Sequence, residues 1–284
     1  GFFKTEATYR EIEVQCLIIA GGTEDPCLDD PEGIIAEVRA SSTVEGQPTE
    51  AGWLLWPPIP YKYNTVNDID GAAPSAPDAK HWLGTDDTAR DVLARVIYGF
   101  RISVLFGLTL TIASCIVGVV VGAIQGFYGG KIDLLGQRFI EVWSGLPVLY
   151  LLIILSSIVQ PNFWWLLGIM LLFSWMGLVD VVRAEFLRAR NFEYVKAARA
   201  LGLDNRKIMF RHILPNAMVA TLTFLPFILT GAITGLTSLD FLGFGLPSGS
   251  PSLGELIAQG KANLHAPWLG ISAFVSLSLM LTLL

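Results

Sequence analysis

Few residues in this 284-residue chain have the types and spacing that chemistry needs. Gly129-Gly130-Lys131 carries the Gly-Lys step of a phosphate-binding loop. However, Gln125 stands where that loop's first Gly belongs, and Ile132 stands where a Ser or Thr would coordinate magnesium. Gly243-Phe244-Gly245 begins a dinucleotide fingerprint, yet no strand pattern precedes it and no βαβ unit follows. His81, His212 and His265 fall in different loops without the H-E-x-x-H spacing of a metal-binding helix. No catalytic residue, metal or cofactor is therefore expected on this chain, and any energy it uses must come from elsewhere.

Composition says what kind of element must position the remaining polar groups. Mean hydropathy is +0.55, with 52% hydrophobic and only 15% charged residues, which is the range of membrane proteins. Residues 1–95 hold seven Lys or Arg against seventeen Asp or Glu, and residues 96–284 hold twelve against eight. An acidic, hydrophilic front thus joins an apolar rear. Nucleic acid is excluded as a partner, because the basic cluster lies between apolar spans. Five spans are expected, at 100–124, 139–159 (kinked at Pro147), 163–182, 217–239 and 268–284. Gly107, Gly118 and Gly122 in the first allow close helix approach, the last two as a small-xxx-small pair.

Ionisable residues inside such spans are functional candidates by default. Glu141 and Asp180 each have a base three residues away, Arg138 and Arg183. Each carboxylate either pairs with that base near the cytoplasmic edge or lines a translocation path. Better path candidates are Trp143, Pro147, and Thr230, Thr234 and Ser238 in the small, polar 230–238 stretch, which offer no fixed charge. Plain helix packing accounts for them equally well.

The stretch NFEYVKAARALGLDNRKIMFRHILPN, residues 191–216, is the long polar interval of the second half. Between positions 183 and 211 the chain has eight Lys or Arg and three acids, so this loop reads as cytoplasmic by the positive-inside rule. Residues 192–201 have helix-forming composition, with Ala197, Ala198 and Leu201 expected on one side. Gly202 can take positive φ and end that helix. Asp204 or Asn205 can cap a second short helix carrying Ile208, Met209 and His212, which Pro215 closes off from the next span. The result is a basic docking knob between two spans, and such a knob needs a cytoplasmic partner. A basic loop holding membrane lipid headgroups is the plainer reading.

These residues resemble the EAA loop of ABC-importer permeases, E-A-A, three residues, Gly, nine residues, I-x-L-P. Ala197, Ala198, Gly202, Leu214 and Pro215 fall on matching positions, while Lys196 replaces the Glu and His212 the Ile. HWLGTDDTARDVLARVIYGFRIS, from His81, resembles the corresponding run of the dipeptide and oligopeptide branch, with Ala89 in place of the usual Gly. FLGFGLP, PSLGELIAQG and APW extend that resemblance over 81–284. WSGLP and PNFWWLL resemble the permeases of microcin C and related peptide importers most.

The resemblance implies an all-α, type I importer transmembrane domain in the bacterial inner (plasma) membrane, with six spans. It implies a path for peptides or peptide-like solutes, with another small solute such as a metal complex as the alternative. The implied partners are a second homologous permease subunit, two ATPase subunits holding ATP and Mg, and a periplasmic solute-binding protein. Within the coupling loop 183–216, the residues expected to meet an ATPase are Glu193, Ala197, Ala198, Arg199, Gly202, Arg211, Leu214 and Pro215.

Orientation follows from charge. Lys131 and Arg138 share the inner side with the 183–211 cluster, which puts 1–98 on the periplasmic side, ahead of a permease domain at 99–284. That arrangement needs an earlier span. The chain opens without an initiator Met or signal-like apolar run and stops inside an apolar stretch, so more sequence is expected at both ends. The front reads as loop-rich, with Cys16 and Cys27 either a disulfide or two thiols. Thr85 or Asp86 is expected to cap an amphipathic interfacial helix that leads into the first span.

Overall fold

The computed structural model describes residues 43–44, 47–48, 59, 61–69, 71–156, 159, 162–247 and 249–284. Cys16 and Cys27 lie outside them. The chain divides into two compact units, Gly1–Ile97 and Tyr98–Leu284.

In the first unit a minimal hairpin pairs β1 (Thr43–Val44) with β2 (Gln47–Pro48). The stretch before the first helix is organised by a buried polar knot. Fully buried Asp86 accepts the backbone N–H groups of Thr88 and Arg90 on Oδ1. Its Oδ2 accepts Arg90 Nε and Arg95 Nη1, both at 2.8 Å. Nearby, His81 Nδ1 lies 2.9 Å from Asp91 Oδ2. A buried carboxylate shared by two guanidiniums satisfies its lone pairs, the condition under which a buried ion pair is tolerated. With Asp86 so engaged, it does not cap a helix, and neither does Thr85. The helix starts instead at Val92, where Asp91 Oδ1 accepts the Ala94 N–H at 2.7 Å. Between the two acids Ala89 sits at φ 57°, off the helical path.

From Val92 onward every described element is helical: α1 (Val92–Tyr128), α2 (Gly130–Ser144), α3 (Val148–Ser156), α4 (Phe163–Ser174), α5 (Met176–Ala189), α6 (Glu193–Ala200), α7 (Asn205–Phe241), α8 (Leu253–Ala262) and α9 (Pro267–Leu283). Among the described residues, three rods are long and apolar enough to cross a membrane: Val92–Tyr128, Phe163–Ala189 (α4 running into α5) and Asn205–Phe241. Pro267–Leu283 is a shorter apolar helix. At 37 residues, α1 is about 55 Å long, well beyond the ~30 Å hydrocarbon layer.

The expected span 139–159 is not one helix. It breaks at Gly145–Pro147 into the ends of α2 and α3, more than the kink expected at Pro147. Pro147 has no N–H to donate and disfavours helical geometry at Leu146, so α3 restarts with the Tyr150 and Leu151 amides on the Pro147 carbonyl. The expected basic turn before this span is also shorter. The chain reverses at Gly129 and Gly130 (φ 63° and 57°), and Lys131 to Arg138 already belong to α2. Asn162, where the expected outer turn ends, caps α4 by accepting the Trp165 N–H at 2.9 Å.

The α1–α5 contact is made of glycine. A Cβ on Gly118 would lie 2.8 Å from the Trp175 carbonyl oxygen, one on Gly122 2.8 Å from that of Val179, and one on Gly126 2.6 Å from that of Arg183. The small-xxx-small pair expected in the sequence is thus the first two steps of a three-step ridge, on which the two backbones touch. Gly107 meets α7 at Ile233 and Leu229 instead.

Candidate functional site

The 183–216 interval folds into a knob with a greasy inside and a polar outside. Val195 and Ala198 of α6 and Ile208, Met209 and Ile213 of α7 are buried. They share one cluster with Val119, Ala123 and Phe127 of α1 and Leu178, Val182, Phe186 and Ala189 of α5. Helical periodicity splits the three residues expected together. Ala198 faces in, while Ala197 and Leu201, four apart, face out, Leu201 at 80% exposure. Glu193 and Lys196 pair on the surface at 2.8 Å. Arg211 and Pro215 are exposed, and Leu214 packs half-buried on the cluster.

Gly202 adopts φ 76°, the conformation expected of it, and a Cβ built there meets nothing within 4 Å. Asp204 then caps the next helix by accepting the Arg206 N–H. Pro215 does not end that helix. Residues Ile208–Ile213 form a π segment whose wider turn sends the Leu214 N–H to the Met209 carbonyl, and Leu214–Phe241 continues as α-helix. Pro215 thereby occupies a first-turn position, where its missing N–H costs nothing. The wider turn also puts Ile213 in the core, with His212 half-buried.

Around the knob's root, cations are held by acids, carbonyls and rings. Arg183 makes a two-pronged pair with Asp133 of α2, with Arg183 Nη2 at 2.8 Å from Asp133 Oδ2. These bonds hold the Asp133 carboxyl below the usual carboxylate range. Asp180, expected beside Arg183, instead accepts Gln137 Nε2 at 3.3 Å, and the same amide donates to Gln125 Oε1 at 3.1 Å. The expected Arg138–Glu141 pair is present and exposed. Arg199 lies over the Phe127 ring, 5.3 Å from its centroid. Asp133 is not legible in the sequence as Arg183's partner because it lies fifty positions away, whereas Gly126 is readable as the next step of a four-residue spacing.

The path candidates separate. Thr230, Thr234 and Ser238 fall on one face of α7, each hydroxyl donating to a carbonyl one turn earlier: Phe227, Thr230 and Thr234. Trp143 lies at the end of α2, donating Nε1–H to the Leu172 carbonyl at 3.0 Å and stacking on Phe173. Pro147 is exposed in the α2–α3 break. Among the described residues no three His, Cys, Asp or Glu side chains converge as a metal site.

Residues 118–284 match the family model described as binding-protein-dependent transport system inner membrane component. The chain is 64% identical over 287 residues to the peptidoglycan transport system permease protein YejE of Agrobacterium fabrum, covering 90% of this chain and 75% of that protein. It is 66% identical over 234 residues to the inner membrane ABC transporter permease protein YejE of Escherichia coli, covering 82% and 69%. The oligopeptide transport system permease protein OppC of Bacillus subtilis is 32% identical over 209 residues, covering 73% and 68%.

Proposed function

The chain belongs to the family of binding-protein-dependent transport system inner membrane components, and from that premise we propose that it forms a membrane path for peptides or peptide-like solutes. It is an inner-membrane permease subunit of an ATP-driven importer, works with ATPase and solute-binding partners, and is not an enzyme by itself. In the arrangement we favour it pairs with a second, homologous permease. Two ATPase subunits bind ATP and Mg below, one of them on this chain's knob at 193–215. A binding protein delivers solute from the periplasm, the side on which we place residues 1–98. The peptide reading rests on the relatives, whose names concern peptidoglycan and oligopeptide transport.

The observation that supports coupling is the knob's two-faced construction. Its tip, Leu201 and Gly202, is exposed and unobstructed. Its inner face shares a core with α1 and α5, and its second helix continues into α7. A close-packed core transmits displacement rather than absorbing it. An ATPase that moves the tip therefore moves three spans together, shifting the population between inward- and outward-facing packings.

The test is reconstitution of the full-length chain in liposomes, alone and with its partners. Labelled oligopeptide uptake should need ATP, the ATPase and the binding protein together, and the chain alone should hydrolyse no ATP. Hydrolysis or uptake by the chain alone would contradict this reading.

A further inference from the structure

At the root of the knob a cleft of about 560 Å³ is lined by Phe127, Tyr128, Arg190, Asn191, Arg199 and Asn205. Its volume lies within the range of small-ligand sites, about 300–1,000 Å³. Two guanidiniums, two carboxamides and a phenol line it, and no acid does. Asp133 on α2 also acts on Arg190 through its charge, but both of its oxygens are held by Arg183, and Asp204, next to Asn205, accepts the Arg206 N–H. Arg199 is braced over the Phe127 ring, and Arg190, its guanidinium against Gly129, reaches the Gly126 carbonyl through Nη1 at 3.4 Å. We propose that this cleft binds a phosphate oxyanion. Planar guanidinium forks match phosphate geometry, and the amides add neutral donors. Of its lining residues, Tyr128 and Arg190 stand where α1 and α5 end, and the end of a span on the basic side of a membrane is where it meets headgroups. An anionic phospholipid is thus one source of the phosphate, and free phosphate is the other.

The experiment uses the full-length chain in its complex. Native mass spectrometry follows phosphatidylglycerol binding from mixed phosphatidylcholine–phosphatidylglycerol vesicles, with inorganic phosphate as a separate titrant. Arg199→Ala should weaken binding about tenfold, as expected for losing a hydrogen bond to a charged group. Arg199→Lys, which keeps the charge but loses the planar fork and its stacking on Phe127, should fall between Arg199→Ala and wild type, and Arg138→Ala, on the exposed Glu141 pair, should match wild type. Phosphatidylglycerol binding that follows this order identifies a headgroup site. Inorganic phosphate binding in the same order, with no lipid preference, identifies a free-phosphate site. The proposal is overturned if neither ligand separates Arg199→Ala from Arg138→Ala, or if Arg199→Ala changes only ATPase retention, which would mean a protein carboxylate fills the cleft.

Discussion

At the scale of single residues, Ala89 is the clearest case of a sequence departure with a structural cost. It stands where the related run has Gly, and it is the one described non-glycine residue at positive φ. The left-handed region costs an L-residue about 1–2 kcal/mol, partly offset because Gly loses more freedom on folding, by roughly 0.5–1 kcal/mol. Ala89→Gly should therefore stabilise the Asp86 loop slightly. Hydrogen exchange at the Val92 and Ala94 amides should slow by a few fold, and unchanged or faster exchange would count against the strain. The departure was visible in the sequence, but its meaning was not, because backbone conformation depends on the loop that Asp86 folds around itself. The same holds for Arg183. Its neighbour Asp180 is the obvious partner in sequence, yet the chain reversal at Gly129 brings Asp133 to it from another helix.

At the scale of elements, periodicity and composition reveal rods better than ends. The apolar runs behind α1, α4–α5 and α7 are plain in the sequence. Helices extend past them because polar residues on a helix surface are not helix breakers, as in residues 183–189 and 205–213. Proline is the ambiguous signal. Pro147 breaks its span, whereas Pro215 is carried through by a π segment that no local pattern announces. The glycine ridge gives the sharpest test here. Gly122→Ala puts a Cβ 2.8 Å from the Val179 carbonyl oxygen, a backbone atom that cannot rotate away. It should cost about 1–3 kcal/mol, and Gly122→Leu more. Gly168→Ala on α4 meets nothing within 4 Å and should be neutral or stabilising. Thermal stability in detergent should rank Gly168→Ala, Gly122→Ala, Gly122→Leu in falling order, and a tolerated Gly122→Leu would contradict backbone contact between α1 and α5.

At the scale of the whole molecule, the surface proposed for ATPase contact shares its core with the spans it would move. Family membership was legible because the spacing from Ala197 to Pro215 reads directly off the sequence, although it spans the end of α6, the Gly202 turn and the π segment. How the knob is fastened was less so, since Val195, Ile208 and Ile213 gain their role from α1 and α5, far away in sequence. Gly202 tests the central claim most directly. Gly202→Ala adds only backbone strain, about 1–2 kcal/mol, in a place with room for the side chain. Gly202→Asp adds a carboxylate as well, and burying it unpaired against a partner costs several kcal/mol more. The measurement is recovery of the ATPase with the affinity-purified full-length chain, normalised to permease in the membrane. Both variants should reach the membrane at near wild-type levels, with Gly202→Ala keeping much of the ATPase and Gly202→Asp losing it along with uptake. Wild-type ATPase recovery and uptake in Gly202→Asp would contradict the assignment of the knob as the coupling surface.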